Sequence, residues 1–296
     1  MIKTWISAFR LRTLFLSLAC IMMGNFLASA NGYKSISIFS FCMLTALFLQ
    51  ILSNLANDYG DSIHGADHDA RKGPKRAVQS GKITKDQMKK AIGILVALSL
   101  VSGISLLYFS YDVIGIYGIL ALFAIGIAAI LAAITYTNGK KPYGYVGLGD
   151  ISVFIFFGLV AVFGTYYLQA GLLALDVILP SLACGLFSVA VLNLNNMRDI
   201  DSDLAAGKKS IPARIGFRNA KIYHLIIILG AFICLFSYSY MHEAEISNYV
   251  YAITAVPFAL SLVMIFKTDD KQSLDPLLKV TSLSTFVLVI LFGLFL

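Results

Sequence analysis

The sequence has few charged residues: they occupy 13% of its 296 positions, whereas hydrophobic residues occupy 58%. A soluble domain is typically about a quarter charged, so this chain lacks the polar surface that a soluble fold needs. We therefore expect it to fold in a lipid bilayer. The net charge of +7 does not indicate nucleic-acid binding, because the basic residues are confined to a few loops between apolar segments.

Cysteine is also scarce, and the four cysteines form no CxxC pair. They lie inside apolar stretches, at Cys20, Cys42, Cys184 and Cys234. We interpret them as small buried hydrophobic residues. The sequence indicates neither a disulfide framework nor a cysteine metal site.

Apolar stretches long enough to cross roughly 30 Å of hydrocarbon as helices recur along the chain. The predicted spans are 12–31, 36–57, 88–109, 114–136, 151–168, 175–195, 221–241, 247–266 and 277–296. These runs are unbroken, unlike the alternating segments of a membrane β-barrel. The predicted fold class is an all-α integral membrane bundle of nine transmembrane helices, forming one domain over 1–296. Thr84 and Gln87 predict a capping box at the start of the third helix.

The basic residues predict the orientation of the bundle. Every Lys and Arg except Lys34 falls in the N-terminal segment or in the loops on the same side of the predicted spans. The positive-inside rule makes that side cytoplasmic, with the N-terminus inside and the C-terminus outside. Two long cytoplasmic loops, at about 58–87 and 196–220, contain most of the polar chemistry and are predicted to be functional.

The first of these loops carries an Asn/Asp-rich motif. Asn54, Asn57 or Asp58, and Asp61 recur at helical spacing and predict one polar stripe at the cytoplasmic end of the second span. Asp67 and Asp69 follow a few positions later. For one such motif alone, charged residues that are merely solvated in a loop are as good an interpretation as a binding site.

A second motif begins just before the other long loop and continues into it. Asn195, Asp199 and Asp203 are again four residues apart, and Asn196, Arg198 and Asp201 lie between them. Each motif is followed by basic residues, a proline and an arginine, which indicates an internal duplication: Arg71, Lys72, Pro74 and Arg76 after the first, and Lys208, Lys209, Pro212 and Arg214 after the second. The matched pair makes solvated loop charge a much weaker interpretation.

Clustered carboxylates at the mouth of a bundle repel one another unless a cation lies between them. Oxygen ligands without cysteine suit Mg²⁺, which binds a few carboxylates together with substrate phosphate oxygens. Neighbouring Lys and Arg side chains can neutralise the remaining phosphate charge. The pattern therefore predicts a metal–diphosphate site next to lipid.

Other residues carry weaker signals. His64 and His68 are four residues apart, but a lone pair of this kind only weakly indicates zinc. Gly158 and Gly164 are expected to allow close helix packing. Asp150 is either the N-cap of the fifth span or a further site residue.

At this point the sequence resembles the UbiA superfamily of membrane prenyltransferases over essentially its whole length. Asn57-Asp58-x-x-Asp61 approaches the family's NDxxDxxxD pattern, and Asp199 to Asp203 matches its DxxxD. Gly65 stands where the last Asp of the first pattern is expected, which leaves open whether Asp67 or Asp69 takes that role. Longer stretches resemble the branch of the family that acts in menaquinone biosynthesis: Gly73–Gly81, Lys141–Asp150 and Phe156–Gln169.

The resemblance implies a Mg²⁺-dependent transferase of the bacterial inner membrane, with its active site on the cytoplasmic side. Its substrates would be an allylic polyprenyl diphosphate and 1,4-dihydroxy-2-naphthoate, and its products demethylmenaquinone, CO₂ and diphosphate. It implies no nucleic-acid partner and names no protein partner. The implied catalytic residues are Asp61, Asp199 and Asp203. The implied metal-site residues are Asn57, Asp58, Asp61, Asp67, Asn195, Asp199 and Asp203. The candidate substrate-binding residues are Asn54, Arg71, Lys72, Arg76, Asn196, Arg198, Lys208 and Lys209.

Three alternatives remain at this stage. Another UbiA-type enzyme would use a different aromatic acid, such as 4-hydroxybenzoate. A CDP-alcohol phosphotransferase would show a DGxxAR…GxxxDxxxD pattern, which this sequence lacks. An ion-coupled transporter would carry ionisable groups near the bilayer midplane, whereas nearly all of them here lie at the ends of predicted spans.

Overall fold

The computed structural model describes residues 2–64 and 76–296, and these ranges contain helices and turns without a β-strand. The α-helices are α1 (Ile2–Phe9), α2 (Leu11–Ala30), α3 (Ile36–His64), α4 (Lys85–Thr135), α5 (Gly149–Val153), α6 (Gly164–Ala170), α7 (Ile178–Arg198), α8 (Ile200–Ala205), α9 (Ile211–Met241), α10 (Ala255–Lys267) and α11 (Asp275–Leu294). A π-helical segment, Phe154–Phe163, joins α5 to α6. Short 3₁₀ turns lie at Tyr143–Val146, Leu175–Val177, Ile246–Thr254 and Lys271–Leu274.

Within the described ranges, eight helical segments are long and apolar enough to cross a membrane. They are Leu11–Ala30, Ile36–His64, Lys85–Thr135, Gly149–Ala170, Leu175–Arg198, Ile211–Met241, Ile246–Lys267 and Lys271–Leu294. The prediction of an all-helical membrane protein is confirmed. The count differs from the predicted nine because 88–109 and 114–136 fall in one element, α4.

Helix α4 begins at the predicted capping box and reverses direction in its middle. The Thr84 hydroxyl accepts a hydrogen bond from the Gln87 backbone, and the Gln87 side chain accepts one from the Thr84 backbone. Gly115 has φ 63° and ψ −179°, a conformation that glycine adopts without steric cost. Leu95 and Ile130 lie in one hydrophobic cluster, although a straight helix would separate them by about 50 Å. The two halves of α4 therefore pack side by side against α3.

The interior and the surface are arranged as a lipid environment requires. The largest buried cluster surrounds Phe187, Leu235 and Tyr251. Many large apolar side chains, such as Tyr117 and Leu260, are exposed on the outside of the bundle. The four cysteines are unpaired. Cys20, Cys42 and Cys184 are buried, as predicted, whereas Cys234 is only half-buried.

Close backbone contact fixes α7 against the Phe154–Phe163 segment. A Cβ atom on Gly158 would lie 2.6 Å from the Ser181 carbonyl oxygen, so only glycine fits without a shift. Gly185 of α7 approaches Phe154 in the same way. The packing role predicted for Gly158 is confirmed. The one predicted for Gly164 is wrong, since nothing lies within 4 Å of the corresponding Cβ position.

Candidate active site

A cavity of about 380 Å³ extends from the ends of α3 and α7 into the apolar interior. Its polar end is lined by residues of both motifs and their basic tails: Asn54, Asn57, Asp61, Arg76, Asn195, Asn196 and Lys208. Most of the remaining wall is apolar and comes from α2, α3, both halves of α4 and the Phe154–Phe163 segment. A cavity with one charged end and an apolar body suits an amphipathic ligand.

Asp61 lies in the last turn of α3 and is only 4% exposed. Its Oδ1 accepts a hydrogen bond of 2.9 Å from the Tyr145 hydroxyl, and its Oδ2 pairs with Nη1 of Arg76. The same Arg76 nitrogen donates to the Asn57 carbonyl at 3.0 Å. Arg76 therefore folds back onto the helix that carries the first motif.

Two other residues of this motif also line the cavity. The Asn57 side-chain oxygen accepts a hydrogen bond of 3.2 Å from the Thr137 hydroxyl. The Asn54 amide donates to the Phe9 carbonyl at 2.9 Å and to the Thr13 hydroxyl at 3.0 Å, so it holds the turn between α1 and α2. The predicted stripe of Asn54, Asn57 and Asp61 thus faces one cavity.

Asp58 lies off this stripe and does not line the cavity. It is 3% exposed, and its Oδ2 accepts a hydrogen bond of 3.1 Å from the Ala77 backbone. Its Oδ1 is buried without a hydrogen-bond partner among the described residues. Asp58 therefore anchors the first loop at Ala77.

The second motif is organised by Arg198. Its Nε and Nη2 donate to the two carboxylate oxygens of Asp199 at 2.9 and 2.8 Å. Nη2 also donates to the Asn195 side chain at 2.9 Å, and Nη1 pairs with Asp275. Arg198 is 2% exposed and does not line the cavity. The structure thus pairs Arg198 with the Asp199 carboxylate, and its predicted role as a diphosphate ligand stays a prediction.

The polar stripe of the second motif crosses a helix boundary. Helix α7 ends at Arg198 and α8 begins at Ile200, with Asp199 between them. Helical hydrogen bonds nevertheless continue, from Asp199 N to Asn195 O at 3.1 Å and from Asp203 N to Asp199 O at 2.8 Å. The predicted spacing of four is therefore preserved, although Asn195 lines the cavity and Asp199 and Asp203 do not.

Asp203 is paired with the basic tail of its own motif. Lys208 Nζ lies 3.2 Å from its carboxylate, and the Ser210 hydroxyl donates to Oδ2 at 3.2 Å. Burial raises the pKa of Asp203 above its usual range, and the Asp199 and Asp61 carboxylates raise it further, while Lys208 opposes them. Burial lowers the pKa of Lys208, but the surrounding carboxylates outweigh burial and raise it overall.

The two motifs lie close together, because residues of both line one cavity. The Asp61 carboxylate of the first motif also raises the pKa of Asp203 and of Lys208 in the second. Lys209 behaves differently: its side chain is exposed, and its backbone N–H donates to the Tyr145 carbonyl at 2.9 Å. Like Arg198, it does not line the cavity, so its predicted substrate contact stays a prediction.

The donor set fits Mg²⁺. It consists of carboxylate and amide oxygens, and the Oδ1 atom of Asn196, which lines the cavity, is buried without a hydrogen-bond partner among the described residues. No group of three or more His, Cys, Asp or Glu residues is arranged as a metal site in the parts of the chain that are described. Mg²⁺ needs no such cage, because it binds through one or two carboxylates, water and substrate phosphates. Four of the predicted residues, Asp67, Asp69, Arg71 and Lys72, lie outside the described ranges.

The segment Lys141–Asp150 supplies polar residues that motif spacing did not reveal. Tyr145 contacts Asp61, and Asp150 accepts a hydrogen bond of 2.9 Å from the Tyr223 hydroxyl. Cβ atoms on Gly144 and Gly149 would lie within 3.0 Å of Tyr136 atoms, so these glycines make room for Tyr136, which lines the cavity. The sequence had marked Asp150 as an N-cap or site candidate, and the N-cap of α5 is Leu148 instead. The only signal for the rest of the segment was its likeness to the family.

Comparison with known proteins identifies the relatives of the chain. The model of the UbiA prenyltransferase family matches residues 17–294. A 1,4-dihydroxy-2-naphthoate octaprenyltransferase from Haemophilus influenzae is 39% identical, over 99% of this chain and 95% of its own length. A protein of the same name from Escherichia coli is 39% identical, over 94% of this chain and 90% of its own length.

Solved structures share the fold. A UbiA homolog from Aeropyrum pernix, in its apo form, has a TM-score of 0.66 at 18% identity and covers 93% of this chain and 97% of its own. A UbiA homolog from Archaeoglobus fulgidus, bound to GPP and Mg²⁺, has a TM-score of 0.62 at 14% identity and covers 98% of this chain and 99% of its own. The match to the family model and the 39% identity confirm the resemblance seen in the sequence: the chain belongs to the UbiA prenyltransferase family.

Proposed function

We propose that this protein transfers a polyprenyl group from an allylic polyprenyl diphosphate to 1,4-dihydroxy-2-naphthoate, releasing diphosphate and CO₂ and giving demethylmenaquinone in its reduced, quinol form. The observation that carries the proposal is the 39% identity, over nearly the full length, to two proteins named as 1,4-dihydroxy-2-naphthoate octaprenyltransferases. The cavity supports it with a polar end for the diphosphate and an apolar body for prenyl carbon.

The diphosphate end is proposed to use Mg²⁺ together with basic side chains. The metal-site candidates are Asn57, Asp58, Asp61, Asp67, Asn195, Asp199 and Asp203. When bound, Mg²⁺ supplies a Lewis acid that stabilises negative charge on the departing diphosphate. Arg76 and Lys208 line the same end and carry the positive charge that neutralises the remaining phosphate oxygens. Arg71, Lys72, Arg198 and Lys209 remain further clamp candidates, with Asn54 and Asn196 as polar contacts.

Bond making and bond breaking balance within the two substrates. The bond between the allylic carbon and the diphosphate oxygen breaks, and both electrons stay on diphosphate. The electron-rich naphthoate ring forms the new carbon–carbon bond to the allylic carbon. The ring carboxylate then leaves as CO₂, and its bonding electrons restore the aromatic ring.

The chain contributes a preorganised electrostatic site and an apolar cavity wall that excludes water. Asp61, Asp199 and Asp203 are buried and already oriented by Tyr145, Arg198 and Lys208. Orienting charged groups before the reaction reduces the reorganisation needed when diphosphate departs. Apolar residues such as Leu107, Phe123 and Phe156 line the cavity and would keep water away from the allylic cation.

We further propose nine spans in one domain over 1–296, with the N-terminus and the active site on the cytoplasmic side of a bacterial inner membrane. The reversal at Gly115 supports two spans within the 51-residue α4, because that length would otherwise exceed the hydrocarbon thickness more than twofold. The basic loops at about 58–87 and 196–220 support the orientation.

Labelled carbon dioxide provides a test of this reaction. The purified protein, reconstituted in lipid, is incubated with Mg²⁺, a polyprenyl diphosphate and naphthoate labelled in its carboxyl carbon. We expect one labelled CO₂ for each prenylated ring, and no product after chelation of the metal. A prenylated product that keeps the label would contradict the proposal, as would full activity in the presence of the chelator.

A further inference from the structure

Tyr145 contacts both halves of the site with different parts of the same residue. Its hydroxyl donates to Asp61 Oδ1 at 2.9 Å, in the first motif. Its carbonyl accepts from the Lys209 backbone at 2.9 Å, in the tail of the second motif. The residue before Lys209 is Lys208, which pairs with Asp203 at 3.2 Å. A single residue thus spans the distance between two groups of carboxylates.

The local structure fixes the orientation of Tyr145. It lies in the 3₁₀ turn Tyr143–Val146, where its N–H donates to the Pro142 carbonyl at 3.0 Å. Gly147 ends the turn with φ 81°, a left-handed conformation that favours glycine. The turn therefore fixes the backbone of Tyr145 without relying on the contact with Asp61.

The ring of Tyr145 also packs against a constrained partner. Its centroid lies 5.5 Å from that of the His64 imidazole. The two His64 nitrogens lie 3.0 Å from the carbonyl oxygens of Gly60 and Gly139. A neutral imidazole carries one N–H, so His64 donates to one of these two carbonyls. The other residue of the weak zinc interpretation, His68, lies outside the described ranges.

We infer that Tyr145 is a positioning residue. It holds the Asp61 carboxylate in a fixed position relative to the second motif, so that both motifs can bind the metal and the diphosphate. Asp61 receives donors on both oxygens, a neutral one from Tyr145 and a cationic one from Arg76. A neutral donor orients a carboxylate without cancelling its charge, so the carboxylate stays available to a cation. Groups that orient a metal-binding carboxylate typically change metal affinity by about 10- to 100-fold when removed.

This inference rests on the proposed function only in that the site binds an allylic diphosphate with Mg²⁺. It therefore needs a binding measurement that omits the aromatic acceptor. An unreactive geranyl thiodiphosphate is titrated into the full-length protein in lipid nanodiscs at increasing Mg²⁺ concentrations, with calorimetric detection. Failure of the wild-type protein to bind this probe would contradict the proposed function, and the role of Tyr145 with it. Use of a different aromatic acid would leave the binding result unaffected.

Tyr145→Phe removes one hydroxyl and keeps the ring packing and the backbone contacts. We expect it to raise the Mg²⁺ concentration required for half-maximal probe binding by roughly 10-fold or more. Tyr251→Phe is the matched control, because it removes a hydroxyl that lies 3.1 Å from Ser239. Tyr251 belongs to a core cluster without a motif residue and does not line the cavity. The control is expected to keep the wild-type Mg²⁺ requirement, with unfolding temperatures measured for both variants.

A double-mutant cycle tests whether Tyr145 acts through Asp61. In an Asp61→Asn background, Tyr145→Phe is expected to change the Mg²⁺ requirement less than twofold, because the carboxylate that it orients is gone. Two results would overturn the inference: a wild-type Mg²⁺ requirement in the single variant, or an equally large effect in the Asp61→Asn background. A merely structural role predicts a lower unfolding temperature with an unchanged Mg²⁺ requirement.

Discussion

Arg198 donates hydrogen bonds of 2.9 and 2.8 Å to the two carboxylate oxygens of Asp199, its neighbour in sequence. Both side chains are at most 5% exposed. A buried carboxylate without its cation is costly, so this pair fixes the charge and the direction of Asp199 together. The same guanidinium contacts Asp275, which also accepts a hydrogen bond of 3.2 Å from Arg12 on the cavity wall.

Replacing Arg198 tests this pairing. Arg198→Ala should lower the free energy of unfolding by about 3 kcal/mol, because Asp199 would remain buried without its partner. Arg198→Lys should lower the free energy of unfolding by less, since lysine keeps the charge although it cannot form both hydrogen bonds to the carboxylate. Thermal unfolding in detergent measures both variants. Arg214→Ala serves as the control, because Arg214 is exposed and donates to backbone carbonyls. Equal unfolding temperatures for Arg198→Ala and Arg214→Ala would contradict the pairing.

The carboxylates of the two motifs should be required for turnover. We expect Asp61→Ala and Asp199→Ala to reduce prenyl transfer below detection while membrane insertion is retained. Asp201→Ala is the matched control, since Asp201 lies between Asp199 and Asp203 but is exposed and pairs with Lys271. It should keep most of the activity. Initial rates and the membrane-bound fraction give the comparison, and full activity in either motif variant would refute the assignment of that carboxylate.

The glycine contact behind α7 gives a prediction about packing. Gly158→Ala places a methyl group 2.6 Å from the Ser181 carbonyl, so the segment and α7 must separate. Overpacking of this kind costs about 1–3 kcal/mol, and we expect a lower unfolding temperature. Gly93→Ala in α4 should have no such effect, because nothing lies within 4 Å of the added carbon. If the two variants unfold at the same temperature, the close approach at Gly158 is not tight.

Much of the fold and part of the site could be predicted from local sequence. Hydropathy located the spans, and the reversal at Gly115 lies next to the predicted boundary at 110–113. The spacing of Asn54, Asn57 and Asp61 predicted a shared face, and these residues do line one cavity. Helical periodicity carries this information because it depends only on neighbours along the chain.

The remaining features depend on contacts between distant segments. Tyr145 and Asp61 are 84 positions apart, and no local pattern distinguishes this tyrosine from one at a membrane interface. The local sequence around Arg198 likewise does not specify whether its guanidinium faces a carboxylate or a substrate. A carboxylate and a diphosphate both offer paired oxygen acceptors to a guanidinium. Tertiary packing decides both cases.

The central claim is the identity of the acceptor, and direct competition tests it. The purified protein is supplied with Mg²⁺, one polyprenyl diphosphate and equal concentrations of 1,4-dihydroxy-2-naphthoate and 4-hydroxybenzoate, and the prenylated products are identified by mass spectrometry. We predict demethylmenaquinone, in its quinol or quinone form, as the dominant product. Prenylated 4-hydroxybenzoate without turnover of the naphthoate would contradict the account.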